Sequence, residues 1–140
     1  MSVPRSCALT PLLRRCFTIA ALRASDVWSP AIATVRIVAA GEKIAAGEAD
    51  RAILLCGTGI GVAIAANKVP GARAAMCLNE TLARYARQHN GANVLALGAT
   101  LVNTEQALSI VDTFLDTPMR EARYIRRLAK IRDLERRPRE

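Results

Sequence analysis

The chain has 140 residues, 51% of them hydrophobic, and a formal charge of +8 at pH 7. That length holds one domain with a single core, and no apolar run reaches the roughly eighteen residues a membrane span needs, so a soluble protein without a membrane partner is expected. The charge excess sits at the ends: residues 1–25 hold four Arg and no acid, residues 26–115 balance at seven and seven, and residues 116–140 hold nine basic and five acidic residues.

Met1 to Ser29 has two prolines, two cysteines, scattered Arg and the only Trp, without clean periodicity. Three explanations stay open for it: an Arg-rich, acid-poor transit peptide, a divergent first strand and helix with Cys16 to Leu22 as the strand, or an altered start of the reading frame. From Thr34 to Ala46 the apolar positions Val35, Val38, Ala39, Ile44 and Ala45 fall mainly at helical spacing, with Gly47 as a stop.

Ala52 to Leu55 is a continuous apolar run too short for a helix and bounded by turn residues, the pattern of a strand covered on both faces in a parallel sheet. Cys56 closes it. Gly57, Gly59 and Gly61 then let the backbone turn sharply and aim several N–H groups at one spot, and Val62 to Asn67 resumes as a helix. The loop is an anion cradle with a hydroxyl from Thr58 and a thiol from Cys56. Such a positive setting favours a thiolate, although a cysteine ending an apolar strand also serves as a small core residue. The spacing is Gly-x-Gly-x-Gly and fits neither dinucleotide folds nor P-loops.

Gly71 to Leu78 reads as the next strand, entered through the turn Pro70-Gly71. Asn79 caps a helix over Thr81 to His89, in which Leu82, Tyr85 and Ala86 mark the buried stripe while Arg84 and Arg87 face outward or toward a neighbour. Gly91 supplies the left-handed C-cap. His89 is the only histidine. Its place after a helix and before the strand Asn93 to Leu97 puts it near the carboxyl edge of the sheet, where open α/β sheets bind ligands; a solvated helix-end residue is the other reading. A helix over Thr104 to Leu115 follows, with Ala107, Leu108, Val111, Phe114 and Leu115 spaced for burial. Met119 to Arg137 is a last, strongly basic helix whose thin stripe, Tyr124, Leu128, Ile131 and Leu134, suits packing on its own domain or on a partner subunit.

Cys7, Cys16, Cys56 and Cys77 lack the paired spacing of zinc or redox sites. Free thiols in apolar runs suit a reducing cytoplasm better than a disulfide scaffold. The basic C-terminal run has Tyr124 as its one aromatic residue and carries no recognised DNA or RNA motif, so a solvated helix face is preferred to a nucleic-acid surface.

The segment GEADRAILLCGTGIGVAIAANKVPGARAAMC, followed by RQHNGANVLALG, closely resembles the ribose-5-phosphate isomerase type B family, which includes the galactose-6-phosphate isomerase subunits. The likeness runs from about Val35 to Ile131, which sets residues 1–34 apart as a divergent or poorly ordered segment and residues 35–140 as one sugar-phosphate isomerase-like α/β domain. It implies a three-layer αβα, Rossmann-like domain with a parallel sheet, a homodimer whose C-terminal helices reach across, and a metal-independent aldose–ketose isomerase without a cofactor. Such an enzyme removes a weakly acidic C–H beside a carbonyl, holds the enediolate, and returns the proton to the neighbouring carbon. By resemblance, Cys56 is the thiolate base, the Gly57, Gly59 and Gly61 amides hold the oxyanion, and His89, assisted by Thr58, opens the sugar ring. Arg123 and Arg127, four apart on one helix face, match the phosphate-binding arginines, and Asn90 joins the substrate-binding set.

Ribose 5-phosphate and ribulose 5-phosphate are the expected substrate pair. The family's Asp-His-Ala-Gly stretch after the first strand has no counterpart, because no Asp-His pair exists in the chain. The family's Gly-x-Arg is Gly98-Ala99-Thr100 here, and Tyr124 stands where relatives often have His. These departures leave a rival reading: a non-catalytic partner subunit or degenerate homologue that binds phosphorylated ligands.

Overall fold

The computed structural model describes residues 18–21 and 30–137, with side chains from residue 37 onward in the helices and loops. Nine elements follow in order: β1 (Thr18–Ala21), α1 (Pro30–Ala45), β2 (Ala52–Cys56), α2 (Ile60–Ala66), β3 (Ala74–Met76), α3 (Glu80–Asn90), β4 (Val94–Gly98), α4 (Thr104–Asp116) and α5 (Ala122–Glu135). The strands form one sheet in the order β1-β2-β4-β3, and every pairing is parallel. A parallel sheet needs both faces covered. The side-chain alternation of the strands supplies two apolar faces to cover.

Ala52 and Leu54 of β2 and Val94 and Ala96 of β4 point to one side, where Ile37, Ala40 and Ile44 of α1 and Val62, Ala63 and Ala66 of α2 pack on them. Ile53, Leu95 and Leu97 point to the other side, against Ala83 and Ala86 of α3 and Ile110 and Phe114 of α4. This is the three-layer α/β domain expected. The register sets Ala52 beside Val94 and Cys56 beside Gly98, so the carboxyl ends of both central strands finish at one edge.

Several boundaries differ from the expected ones for local reasons. Helix α1 begins at Pro30, where a ring without an N–H suits the first helical turn. Helix α2 begins at Ile60, straight from Gly59. Strand β3 is short and lies at the sheet edge; its start is held by Asn67, whose side chain both donates to the Ala74 carbonyl at 2.9 Å and accepts from the Ala74 N–H at 2.8 Å. Strand β1 falls inside the Cys16 to Leu22 segment and pairs Ala21 with Leu55. The rest of Met1 to Ser29, with its competing explanations, lies outside the described residues.

The largest correction concerns α3. Leu82 and Tyr85 are exposed, at 43% and 48%, while Ala83, Ala86 and Arg87 are buried. Small residues let α3 sit close to the sheet and α4, and Arg87 is tolerated in that layer because its Nε donates to the Thr117 carbonyl and its Nη1 to the Ala92 carbonyl. Its guanidinium also lies 5.5 Å from the centre of the Phe114 ring. Hydrophobicity alone favours Leu and Tyr for burial; satisfied hydrogen bonds reverse the choice. In α4 the buried stripe likewise contains Ile110, with Leu108 exposed. In α5, Tyr124 is buried while Ile131 and Leu134 are exposed.

Candidate active site

Two clusters of the expected site residues form, at opposite ends of the sheet. The first is built at the carboxyl edge, where β2 ends in Cys56 and the chain must reverse into α2 within three residues. Gly59 makes the reversal with φ 80°, a conformation that side chains rarely adopt. A Cβ there would also lie 3.0 Å from the Leu97 carbonyl carbon and 3.1 Å from the Gly98 nitrogen. The turn directs the Gly59 N–H at the Cys56 Sγ, 3.1 Å away.

The sulfur is half-buried against the α1 and α2 core. Thr58 is exposed, and its Oγ1 accepts the Ile60 N–H at 3.4 Å. Nothing lies within 4 Å of the positions a Cβ would take at Gly57 or Gly61, so the cradle is open to a ligand on those sides.

The loop after β4 completes this edge. The Ala99 N–H donates to the Cys56 carbonyl at 2.8 Å, and the Thr100 N–H to the Gly57 carbonyl at 3.0 Å. The Thr100 hydroxyl donates to that same Gly57 carbonyl at 2.8 Å. Thr100 therefore fastens the cysteine loop, a task that its residue type alone did not reveal.

The second cluster gathers around Tyr124. His89 stacks on Tyr85 with ring centres 4.8 Å apart, and its ring centre lies 4.5 Å from that of Tyr124, tilted by 32°. Arg123 donates to the Tyr124 hydroxyl at 2.8 Å and pairs with Glu121 at 2.6 Å. Arg127 lies over the Tyr124 ring at 5.7 Å. Asn90 turns to a neighbouring cavity of about 560 Å³ between β3 and the end of α5, shared with Arg73 and Glu135.

This cluster corrects the expected position of His89. A helix that precedes a strand of a parallel sheet delivers the chain to that strand's amino end. His89 precedes Val94, which is level with Ala52, and Cys56 is level with Gly98 at the far end. Four residue steps along β2 span about 13 Å, so the thiol and imidazole of one chain are out of reach of each other. Among the described residues no three His, Cys, Asp or Glu side chains are grouped to hold a metal ion.

A parallel three-layer domain with a thiol and a glycine turn at the carboxyl edge defines the class: an α/β domain with a glycine-rich strand-to-helix loop where such sheets place their sites. Comparison with known proteins gives the family. The Ribose/Galactose Isomerase family model matches residues 29–131, and the chain belongs to that family. It is 45% identical over 94 residues to ribose-5-phosphate isomerase B of Escherichia coli, covering 67% of this chain and 63% of that protein. It is 46% identical over 78 residues to galactose-6-phosphate isomerase subunit LacB of Clostridium acetobutylicum, covering 56% and 45%.

Among solved structures, Clostridium thermocellum ribose-5-phosphate isomerase B superposes with a TM-score of 0.71 at 47% identity, over 74% of this chain and 70% of that one. The Mycoplasma genitalium enzyme with bound ribulose-5-phosphate gives 0.71 at 39% identity, over 75% and 70%. The chain spans less than two thirds of the length of the Escherichia coli and Clostridium acetobutylicum relatives that it matches.

Proposed function

We propose that this protein is an aldose–ketose isomerase that interconverts ribose 5-phosphate and ribulose 5-phosphate. The observation that carries the reading is the Gly59 N–H aimed at the Cys56 sulfur, beside a glycine cradle open at Gly57 and Gly61. A donor pointed at sulfur is a partner for negative charge on that atom. As thiolate, Cys56 takes the proton from C2 of the open-chain aldose and the C1 carbonyl oxygen becomes an enediolate oxygen; the C2 hydroxyl proton then passes to the C1 oxygen, and the proton held on sulfur is delivered to C1 as the C2 carbonyl forms. The cradle amides hold the developing oxyanion; each well-aimed donor lowers the barrier by about 3 kcal/mol. Relatives named as ribose-5-phosphate isomerases support the choice of sugar.

His89 with Thr58 opens the ring, and Asn90, Arg123 and Arg127 hold the substrate's distal end and phosphate. Because His89 and both arginines lie at the far end of the sheet from the Cys56 of their own chain, they act on the Cys56 of a second copy. The functional unit is a homodimer with sites shared across the interface. The unpaired thiols of Cys56 and Cys77 suit a reducing compartment, the cytoplasm; no helix among the described residues is long and apolar enough to cross a membrane.

Mixing the protein with ribose 5-phosphate and following ribulose 5-phosphate tests the reaction, and Cys56→Ser should abolish turnover. Absence of conversion by the unaltered chain overturns the isomerase reading. Mixing inactive Cys56→Ser with inactive His89→Asn protein tests the shared site: mixed dimers hold one intact site, so statistical exchange restores about a quarter of full activity. No recovery after proven subunit exchange would show that each site is built within one chain.

A further inference from the structure

At the amino end of the sheet, away from the thiol loop, lies a cavity of about 330 Å³ lined by Arg51, Arg73 and Arg87, with Asp50, Gly91 and Asn93 on its wall. We propose that this cavity is a second anion site, built to hold a phosphate dianion, free or as the ester of a small molecule.

Three guanidinium groups share the space with one lining carboxylate, that of Asp50. Among the described residues none of the three arginines forms an ion pair; what they donate to is backbone. Arg51 Nη1 donates to the Asp50 carbonyl at 2.6 Å. Arg73 donates through Nε to the Gly91 carbonyl at 3.0 Å and through Nη1 to the Gly71 carbonyl at 3.2 Å. Arg87 donates to the Thr117 and Ala92 carbonyls.

Each guanidinium has five N–H donors, so the backbone orients the three forks and leaves donors over. The Nε of Arg51 is buried without a hydrogen-bond partner among the described residues. A buried donor of that kind costs free energy unless something accepts from it.

The electrostatics point the same way. Burial lowers the Arg51 guanidinium below its ordinary value, against the pull of Asp50, and Arg73 lowers it further. Burial likewise lowers Arg73, with Glu135 and Arg132 of α5 opposing each other there. Arg87 is lowered to about 10 by burial and by the charges of Arg51 and Arg73. Three cations that disfavour one another in a partly dry space are relieved together by one polyvalent oxyanion, and planar guanidinium forks match phosphate geometry. The volume suits a small ligand. Asn93 cannot compete for that role, since its amide is engaged by the Arg73 N–H and the Gly71 carbonyl.

The test titrates the full-length protein with inorganic phosphate, glycerol 3-phosphate and uncharged glycerol, following the thermal midpoint and calorimetric binding. Phosphate or its ester should bind and raise the midpoint, while glycerol should not; which of the two binds tighter identifies the free ion or the ester as the natural occupant. Arg51→Gln should weaken that binding about tenfold or more, as expected for losing charge-assisted hydrogen bonds. Asp50→Asn, which removes the one lining carboxylate, should tighten it several-fold and keeps the idea testable if Arg51→Gln does not fold.

The combined Arg123→Gln and Arg127→Gln variant separates this site from the proposed sugar-phosphate site: anion binding persists in it if the cavity is the receptor. Loss of binding in that variant, equal binding by Arg51→Gln and the unaltered chain, or no anion effect at all would each overturn the proposal. None of these outcomes bears on turnover of ribose 5-phosphate.

Discussion

The hydroxyl of Thr100 donates to the carbonyl of Gly57 at 2.8 Å across 43 residues of chain, so the loop leaving β4 holds the loop leaving β2. With the Thr100 N–H on the same oxygen, the Gly57–Thr58 peptide just beyond Cys56 is held by two hydrogen bonds. Replacing Thr100 by Val keeps the shape and the N–H bond but deletes the hydroxyl, a loss of roughly 1 kcal/mol. The expected outcome is a kcat lowered by up to about tenfold with KM little changed, because the loop rather than the phosphate contact is loosened. Steady-state kinetics with ribose 5-phosphate checks it; a rise in KM at constant kcat would assign Thr100 to substrate binding instead.

Gly98 shows how tightly the same two loops are pressed together. A Cβ at that position would sit 2.6 Å from the Thr58 carbonyl oxygen and 2.7 Å from its carbonyl carbon. Both atoms are backbone, so neither can rotate away. Gly98→Ala should therefore destabilise the fold by about 1–3 kcal/mol and displace the cysteine loop, lowering activity further than the stability change alone predicts. Urea unfolding and kinetics on the same preparation decide it, and unchanged values in both would mean the loops separate more easily than their packing implies.

How much of this was legible in the chain depends on whether the deciding contact is local. The Ala52 to Cys56 run and its glycine turn, the Asn79 cap, whose side chain accepts the Leu82 N–H at 2.9 Å, and the left-handed Gly91 at φ 55° each follow from a few neighbouring residues. The buried face of α3 does not. Leu82 and Ala83 differ by 100° of rotation about the helix, and which of them faces inward depends on the sheet and α4, elements distant in sequence. His89 lies at the amino edge for a topological reason: in a parallel sheet the helix that precedes a strand feeds that strand's amino end, whatever the chemistry of its last residue. The resemblance marks Arg123 and Arg127, yet the fact that they surround Tyr124 with His89, at the other end of the sheet from Cys56, requires the folded chain.

Cys77 offers a pH signature that separates the two thiols. It is 1% exposed, and burial pushes its thiol up from 9.0 to about 11. Below pH 9 both folded and unfolded chains keep that proton, so Cys77 contributes no pH dependence there. Between about pH 9 and 11 the unfolded chain releases the proton and the folded chain retains it. Stability then falls with rising pH, by at most about 2 to 3 kcal/mol. Cys77→Ala protein should lack that fall. In a Cys7→Ser, Cys16→Ser background, a small alkylating reagent at pH 8 should modify Cys56 in the native state and leave Cys77 untouched; early labelling of Cys77 would contradict its burial.

Arg87 tests whether the amino end of the sheet depends on a buried cation. Its side chain is 5% exposed and ties Thr117, at the end of α4, to Ala92, just before β4. Leucine fills similar apolar space against Phe114 but leaves both carbonyls without that donor, at about 1–3 kcal/mol for a buried unsatisfied group. Against this, removing Arg87 relieves its repulsion with Arg51 and Arg73. Such repulsion through a partly hydrated cavity is weaker than two lost bonds to buried carbonyls, so Arg87→Leu should destabilise by about 2 kcal/mol, read as a lower urea midpoint at unchanged m. Arg87→Lys retains the charge but cannot fork between two carbonyls, and should recover only part of the loss. A leucine variant within about 0.5 kcal/mol of the unaltered chain would mean that relief of repulsion offsets the lost bonds.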